Sequence, residues 1–185
     1  MMPQKEQVFN KMAAQVCGDF SGIEKTVRKK LISGEFGLIT IDGRDGSGKS
    51  TLAISLANAL DAEHLEIDQY VNENKDGYSK HIRFNDLYKD YESSCRDYSI
   101  VILEGICIMN IISKIGVEPD ISIYIKRIKD NFWFDGLMLF NPDKDADQHI
   151  ADRRLSDNSL QSEIIRYHYR YMPHETSDIV FERFI

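Results

Sequence analysis

Apolar residues at Val8, Phe9, Met12, Ala13, Val16 and Cys17 recur at intervals of three and four, the spacing of one helix face. Such a face either docks a partner or packs into the protein's own core. Ser21 and Glu24 then have the S-x-x-E spacing of a capping box, and Ile23, Val27 and Leu31 carry a second helical stripe as far as Gly34. From Phe36 the period changes. Leu38, Ile39, Thr40 and Ile41 form a continuous apolar and β-branched run that predicts a buried strand ending at a glycine cluster. Leu52, Ile54, Leu56, Ala57 and Leu60 return to helical spacing, so residues 35–61 read as strand, loop, helix.

The alternation continues. Strands are expected at His64–Asp68, Tyr98–Glu104, Ile121–Ile125 and Asp178–Phe181, and helices at Ile82–Cys95, Ile106–Ile115 and Leu160–Tyr171. Repeated β and α units imply an α/β fold in three layers, with a parallel sheet of about five strands covered on both faces. The stretch Lys126–Ser159 breaks the pattern: Phe132, Trp133, Phe134, Leu137, Met138, Leu139 and Phe140 are followed by a mostly polar run from Asn141 to Gln148. It reads as a partly helical, mobile excursion, either a surface subdomain filling its own small core or a lid over a site.

Composition narrows the class. At 185 residues with 42% apolar residues, one compact domain with a real core is the default. Lys and Arg number 23 against 30 Asp and Glu, a net charge of −7, which argues against nucleic acid as the main partner. Cys17, Cys95 and Cys107 form no C-x-x-C pair and read as buried thiols of a reducing compartment. The N-terminal 20 residues lack a signal-peptide core and no apolar run approaches ~18 residues, so the expectation is a cytoplasmic protein with no membrane partner. A homo-oligomer remains open.

Between the first strand and its helix, Gly43, Arg44, Asp45, Gly46, Ser47, Gly48, Lys49 and Ser50 satisfy G-x-x-x-x-G-K-[ST], a P-loop in its expected context. Glycines let the backbone curl so that successive N–H groups face one anion, and the helix adds its positive end. The loop, including Asp45 and Thr51, would bind ATP; Lys49 would reach the β- and γ-phosphates and Ser50 would ligate Mg²⁺. In a parallel sheet all strand C-termini share one edge, which brings Asp68 and Glu104 to the P-loop side. Asp68 is placed to accept the proton of an attacking hydroxyl, and Glu104 to hold Mg²⁺ or pair with Lys49; Asp68 is a second candidate for the metal.

The segments Ile39 to Thr51, Ile67-Asp68-Gln69-Tyr70, Ile102-Leu103-Glu104-Gly105 and Tyr171 to Val180 resemble the P-loop kinases of the uridine kinase, phosphoribulokinase and pantothenate kinase group. The resemblance implies a single kinase domain over residues 1–185, with N-terminal helices in 1–34 and a lid in 126–159. It implies Asp68 as general base and Glu104 at the metal. It also implies lid arginines, for which Arg153 and Arg154 match and Lys126-Arg127 competes; Arg166 and Arg170 are a further anion-binding pair. The acceptor site is expected around Tyr70, Tyr78, His81 and Arg83.

The activity this implies is Mg²⁺-dependent transfer of the ATP γ-phosphate to a hydroxyl of a small metabolite, a nucleoside first of all. Two alternatives stand beside it. The segment Ile41 to Thr51 also resembles thymidylate kinases, whose acceptor is a nucleotide phosphate and for which Arg83 is the candidate contact. A regulatory P-loop ATPase would need no small acceptor; a GTPase is disfavoured because Asn74-Lys75-Asp76 is not N-K-x-D.

Overall fold

The computed structural model describes residues 14–31, 36–72 and 78–185. In chain order these form β1 (Gln15–Cys17), α1 (Phe20–Lys30), β2 (Gly37–Gly43), α2 (Lys49–Leu60) and β3 (Glu63–Glu66). A 3₁₀ turn (Ile67–Tyr70), α3 (Phe84–Asp97), β4 (Ile100–Gly105), α4 (Ile108–Ile115) and β5 (Ile121–Lys129) follow. The chain closes with β6 (Phe132–Trp133), α5 (Gly136–Leu139), α6 (Ala146–Asp152), α7 (Leu160–Tyr171), α8 (Pro173–Thr176) and β7 (Ile179–Phe184).

Six strands lie in the order β1-β7-β5-β2-β4-β3, every neighbouring pair parallel, and the short β6 pairs antiparallel with β5. Among the described residues the sheet therefore has seven strands rather than about five. The two additions are short: β6 follows a hairpin turn whose residues Asp130 and Asn131 both take positive φ, 50° and 65°. β1 falls at the end of the N-terminal stripe. Most of that stripe, Val8 to Ala13, lies outside the described residues, but Gln15–Cys17 is an edge strand on β7 and not the end of a helix. Three residues are too few for a helical period to outweigh pairing with an open sheet edge.

All seven residues of β2 are buried, as a central parallel strand requires. Its side chains alternate between two cores. Ile39 and Ile41 join Ile23, Val27, Leu52, Leu56, Ile102 and Ile123 beneath α1 and α2. Leu38 joins Val101, Leu103, Leu87, Ile108, Ile112, Ile164 and Tyr167 beneath α3, α4 and α7. Cys17 and Cys107 are buried as expected, whereas Cys95 of α3 packs against the core but is only half-buried.

Local chemistry sets the helix ends. α1 starts at Asp19, whose Oδ1 accepts from Gly22 N at 2.8 Å, so the cap is Asp19 rather than Ser21. The helix stops at Lys30; Gly34 lies outside the described residues. The strand expected at His64–Asp68 ends at Glu66, and Asp68 sits in the 3₁₀ turn beyond it. The excursion is partly helical as expected: a capping box between Asp145 and Gln148 begins α6, and Ser159 Oγ caps α7 from 3.2 Å. No helix among the described residues is long and apolar enough to cross a membrane.

Candidate functional site

The P-loop leaves β2 at Gly43 and enters α2 at Lys49. Two glycines have reasons that can be measured. Gly48 caps α2 at φ 96°, and a Cβ there would stand 2.8 Å from Arg183 Nη1. A Cβ at Gly43 would stand 2.7 Å from Ser47 Oγ, a buried hydroxyl with no partner among the described residues. The loop is a tight cradle, braced from outside by Arg183, which donates to Ser47 O at 2.9 Å. Lys49 is buried and bends back over the loop, its Nζ donating to Arg44 O at 3.3 Å.

Sheet register decides where the carboxylates go. Glu104 pairs with Ile41, so its side chain faces α2, where Ser50 Oγ donates to its Oε1 at 2.7 Å. His64 Nε2 approaches the same oxygen at 3.8 Å, an ion-pair distance that is too long for a hydrogen bond. Burial opposes the charge on Glu104, but His64, Ser50 and Lys49 together outweigh it and hold the carboxyl below its ordinary range. Asp42, one residue on, faces the other way. It is buried, accepts Gly43 N at 2.7 Å and the Tyr167 hydroxyl of α7, and burial pushes its pKa up to about 6.

Asp68 stands exposed as the second residue of the 3₁₀ turn, two positions beyond Glu66, the β3 residue that pairs with Glu104. Its Oδ1 accepts the Tyr78 hydroxyl; Oδ2 has no partner among the described residues. Tyr78 is itself held from behind: its N–H and that of Ser79 donate to Glu163 of α7 at 2.6 and 3.0 Å. Burial, then the bond to Asp68, pushes the Tyr78 phenol well up, so it remains a donor.

The other expected acceptor residues are arranged differently. Tyr70 is buried and its hydroxyl donates to Asp90 Oδ2 at 2.8 Å, away from Asp68. Arg83 clasps its own turn, bonding Asp86 at 3.0 Å and Gln69 O at 2.9 Å. His81 contributes backbone bonds to Asn72 and Tyr78 and no side-chain bond among the described residues.

Two arginine pairs differ sharply. Arg44 of the loop and Arg127 of β5 share Asp135, at 2.8 Å for Arg44 Nη1 and 2.6 Å for Arg127 Nη2. Burial alone would raise the Asp135 pKa, and the two guanidiniums hold it below the ordinary range. Arg153 and Arg154, at the end of α6, are exposed, and their side chains form no hydrogen bond or ion pair among the described residues, only their backbone N–H groups closing the helix end onto His149 O and Ala151 O. Sequence reasoning passed over Asp135, Glu163, Tyr167 and Arg183, each of which acts across more than 90 positions or from an unremarkable helix. Only Asp42 carried a signal, as a charge within an apolar strand.

A cavity of about 290 Å³ opens beside Tyr78, between Ser79 and Lys80, Asn110 of α4, the 157–159 segment and α7. A second, of about 330 Å³, reaches Asp42 but opens among Pro119, Asp120 and Asp178, at the starts of β5 and β7. That is the edge opposite the P-loop, so the first cavity is the one that borders Asp68's partners.

No group of three or more His, Cys, Asp and Glu side chains poised to hold a metal occurs among the described residues. Mg²⁺ needs none: it takes one or two protein oxygens and completes its shell with phosphates and water. Ser50 and Glu104, with their oxygens 2.7 Å apart where the loop enters α2, suit that demand.

No protein-family model matches the chain, and no curated protein sequence matches it. Solved structures do. A Bacillus stearothermophilus protein described as a possible uridine kinase is 16% identical over 88% of this chain and 96% of its own, with a TM-score of 0.58. A Silicibacter sp. TM1040 protein described as a fructose transport system kinase is 16% identical, covering 89% and 100%, at 0.49. Shikimate kinase from Bacteroides thetaiotaomicron is 18% identical, covering 79% and 85%, at 0.34. The first likeness establishes a shared α/β P-loop fold.

Proposed function

We propose that the protein is an ATP-dependent kinase that phosphorylates a hydroxyl of a small metabolite. The observation that carries this is the Ser50–Glu104 contact of 2.7 Å at the head of the P-loop, with the Asp68 carboxylate at the neighbouring strand end. A loop that only binds phosphate needs neither carboxylate; a phosphoryl transfer to a hydroxyl uses both.

In this reading the loop N–H groups and Lys49 hold the phosphates, with Gly43, Asp45, Gly46, Ser47, Gly48 and Thr51 shaping the cradle. Ser50 and Glu104 hold Mg²⁺, which supplies neutralisation of the phosphate oxygens when bound. Asp68 takes the proton of the acceptor hydroxyl as that oxygen bonds to the γ-phosphorus and ADP leaves. Tyr78, donating to one carboxylate oxygen, fixes the other toward the acceptor. Arg153 and Arg154, whose side chains have no partner among the described residues, are available to neutralise the phosphoryl oxygens. Nucleosides are the first acceptors to test, on the sequence resemblance. A nucleotide-phosphate acceptor is disfavoured because Arg83, its expected contact, is already bonded to Asp86 and Gln69 O.

The test is Asp68→Asn. ATP affinity should stay within about twofold while turnover falls by about 10² to 10⁴; retained turnover would remove Asp68 from its role.

A further inference from the structure

We propose that the second cavity, between the sheet and α4, α7 and α8, binds a small organic amine whose ammonium group pairs with Asp42, and that this pairing reaches the phosphate loop through Gly43. The inference goes beyond the kinase reading and does not depend on it.

Sheet register puts polar side chains where a doubly covered parallel sheet calls for apolar ones. Ile39 and Ile41 face the core beneath α1 and α2, so Thr40 and Asp42 face the other way, toward α4 and α7. Thr40 pairs with Ser122 of β5, and Ser122 Oγ donates to Asp178 Oδ2, just before β7, at 2.7 Å. The row Thr40, Ser122, Asp178 thus crosses three adjacent strands and lines the cavity of about 330 Å³. Two hydroxyls of its wall have nothing to bond. Thr40 is 1% exposed and Ser177 7%, and neither side chain forms a hydrogen bond among the described residues. A buried hydroxyl in that state opposes folding unless something in the cavity meets it.

The charge on the wall is all of one sign. Asp42, Glu118, Asp120 and Asp178 line the cavity, and no Lys, Arg or His does. Asp120 and Asp178 each give an oxygen to a strand N–H, Leu38 N at 2.8 Å and Ser122 N at 2.9 Å, and Lys30 of α1 reaches Asp178 at 3.4 Å. Asp42 is the buried one of the four. Its bonds from Gly43 N and the Tyr167 hydroxyl bring it no positive charge, and Lys49 acts on it from the loop side.

These features select an organic cation. A metal ion would need several oxygens converging on one point, and no group of three or more acidic, His or Cys side chains does so among the described residues. Ile108, Met109, Pro119 and Pro173 instead give the cavity an apolar wall. An anion would be repelled, and a neutral molecule would leave the Asp42 charge unmet. A primary ammonium has three N–H donors. Thr40 and Asp42, two positions apart on one face of β2, lie about 7 Å apart along the strand, within the span of one small molecule. The volume is at the small end of ligand sites. Because Asp42 Oδ1 also accepts Gly43 N at 2.7 Å, a cation beside the carboxylate alters the bond that holds the loop's first residue.

The experiment follows ¹H–¹⁵N spectra of the full chain at about pH 7.5, where Asp42 is ionised. Benzylamine, benzyl alcohol and benzoate are titrated at constant ionic strength, one apolar body bearing in turn a cation, a neutral hydroxyl and an anion. Benzylamine should give saturable shifts at the amides of residues 118–123 and 176–178, together with a shift of the Gly43 amide. Its affinity should exceed that of benzyl alcohol by about tenfold or more, and benzoate should not saturate. Asp42→Asn should weaken benzylamine about tenfold and leave benzyl alcohol within about twofold. Thr40→Val keeps the shape of the strand residue and removes a hydroxyl that has no partner. It should weaken benzylamine about threefold or more without lowering the urea midpoint, so it decides the matter if Asp42→Asn fails to fold.

The amine site is overturned if benzylamine does not saturate, shifts amides elsewhere, binds no better than benzyl alcohol, or ignores Thr40→Val. A saturated cavity with an unmoved Gly43 amide overturns the link to the phosphate loop. None of these readings involves ATP or turnover, so failure of the kinase reading would show separately, in the Asp68→Asn assay.

Discussion

The phosphate loop and the excursion between β5 and α7 both bury polar groups, but with different materials. Around the loop the neighbours are mostly aliphatic, and the buried carboxylates are met by a backbone group or another side chain, Asp42 by Gly43 N and Tyr167 and Glu104 by Ser50, while Ser47 Oγ is left without a partner among the described residues. The excursion and the helices beneath it are built of rings. Trp133 lies 4.7 Å from His174, Phe140 lies 4.9 Å from Tyr169, and Tyr124 meets His168 edge-on. Three buried histidines sit among them. His168 is bonded at both nitrogens, to Ile164 O and Tyr124, whereas His174 Nδ1 has no partner among the described residues. The loop, with Ser47 Oγ left unpartnered, fits the phosphate site proposed for it, and the ring cluster is a core that depends on neutral imidazoles. Asp135 joins the two, binding one arginine from each side.

The comparison can be broken at several points. The largest effect belongs to Asp68→Asn, a loss of about 10² to 10⁴ in turnover with the fold intact. Glu104→Gln should act next: the Mg²⁺ needed for half-maximal nucleotide binding should rise about 10- to 100-fold, read by titration of the metal. Asp135→Asn should cost about 2 kcal/mol in denaturant unfolding, less than the 3–5 of a fully buried pair because both arginines keep some solvent contact. An unchanged midpoint would mean that the excursion and loop are not coupled.

Acid distinguishes the two regions with opposite signs. Burial lowers the His168 and His174 pKa values to about 4, so the unfolded chain binds more protons between about pH 6.5 and 4. Their contribution is complete above that window and is lost as pH falls, by at most about 1.4 kcal/mol per pH unit for each imidazole. Asp42 runs the other way: its pKa is raised to about 6, so it favours the folded state below the unfolded value of 3.8 and loses that contribution as pH rises to about 6. Two imidazoles outweigh one carboxylate, and net destabilisation is expected on acidification from pH 6.5 to 4. His174→Phe should flatten that slope in urea titrations at several pH values. The smallest effect tests the helix cap: Asp19→Ala should cost about 1 kcal/mol and Ser21→Ala much less.

The same contrast explains what could be read from the sequence. Leu38 to Ile41, the glycines and Lys49 declare a buried strand, a phosphate loop and a helix through local rules, and α7 falls on Leu160–Tyr171 as its periodicity predicts. Glu104 was legible because a charge ending an apolar strand needs a partner. The rest depends on long-range pairing. Nothing local shows that Asp135 will find Arg44, 91 residues away, or that Glu163 will hold Tyr78 from 85 residues away. Tyr70 and Arg83 looked like acceptor contacts in the right segment, yet Asp90 and Asp86 on α3 engage them. β6 and β1 were missed because two or three residues carry no period.

The central claim is that the loop, Glu104 and Asp68 form a phosphotransferase site. The most direct test is ATP consumption with Mg²⁺ across nucleosides, nucleoside monophosphates, sugars, sugar phosphates and hydroxy acids, with Lys49→Ala as the blank. The account predicts that at least one hydroxyl compound raises consumption well above background, stoichiometric with its phosphate ester. Slow hydrolysis that no member of the panel changes would contradict it and favour a regulatory ATPase.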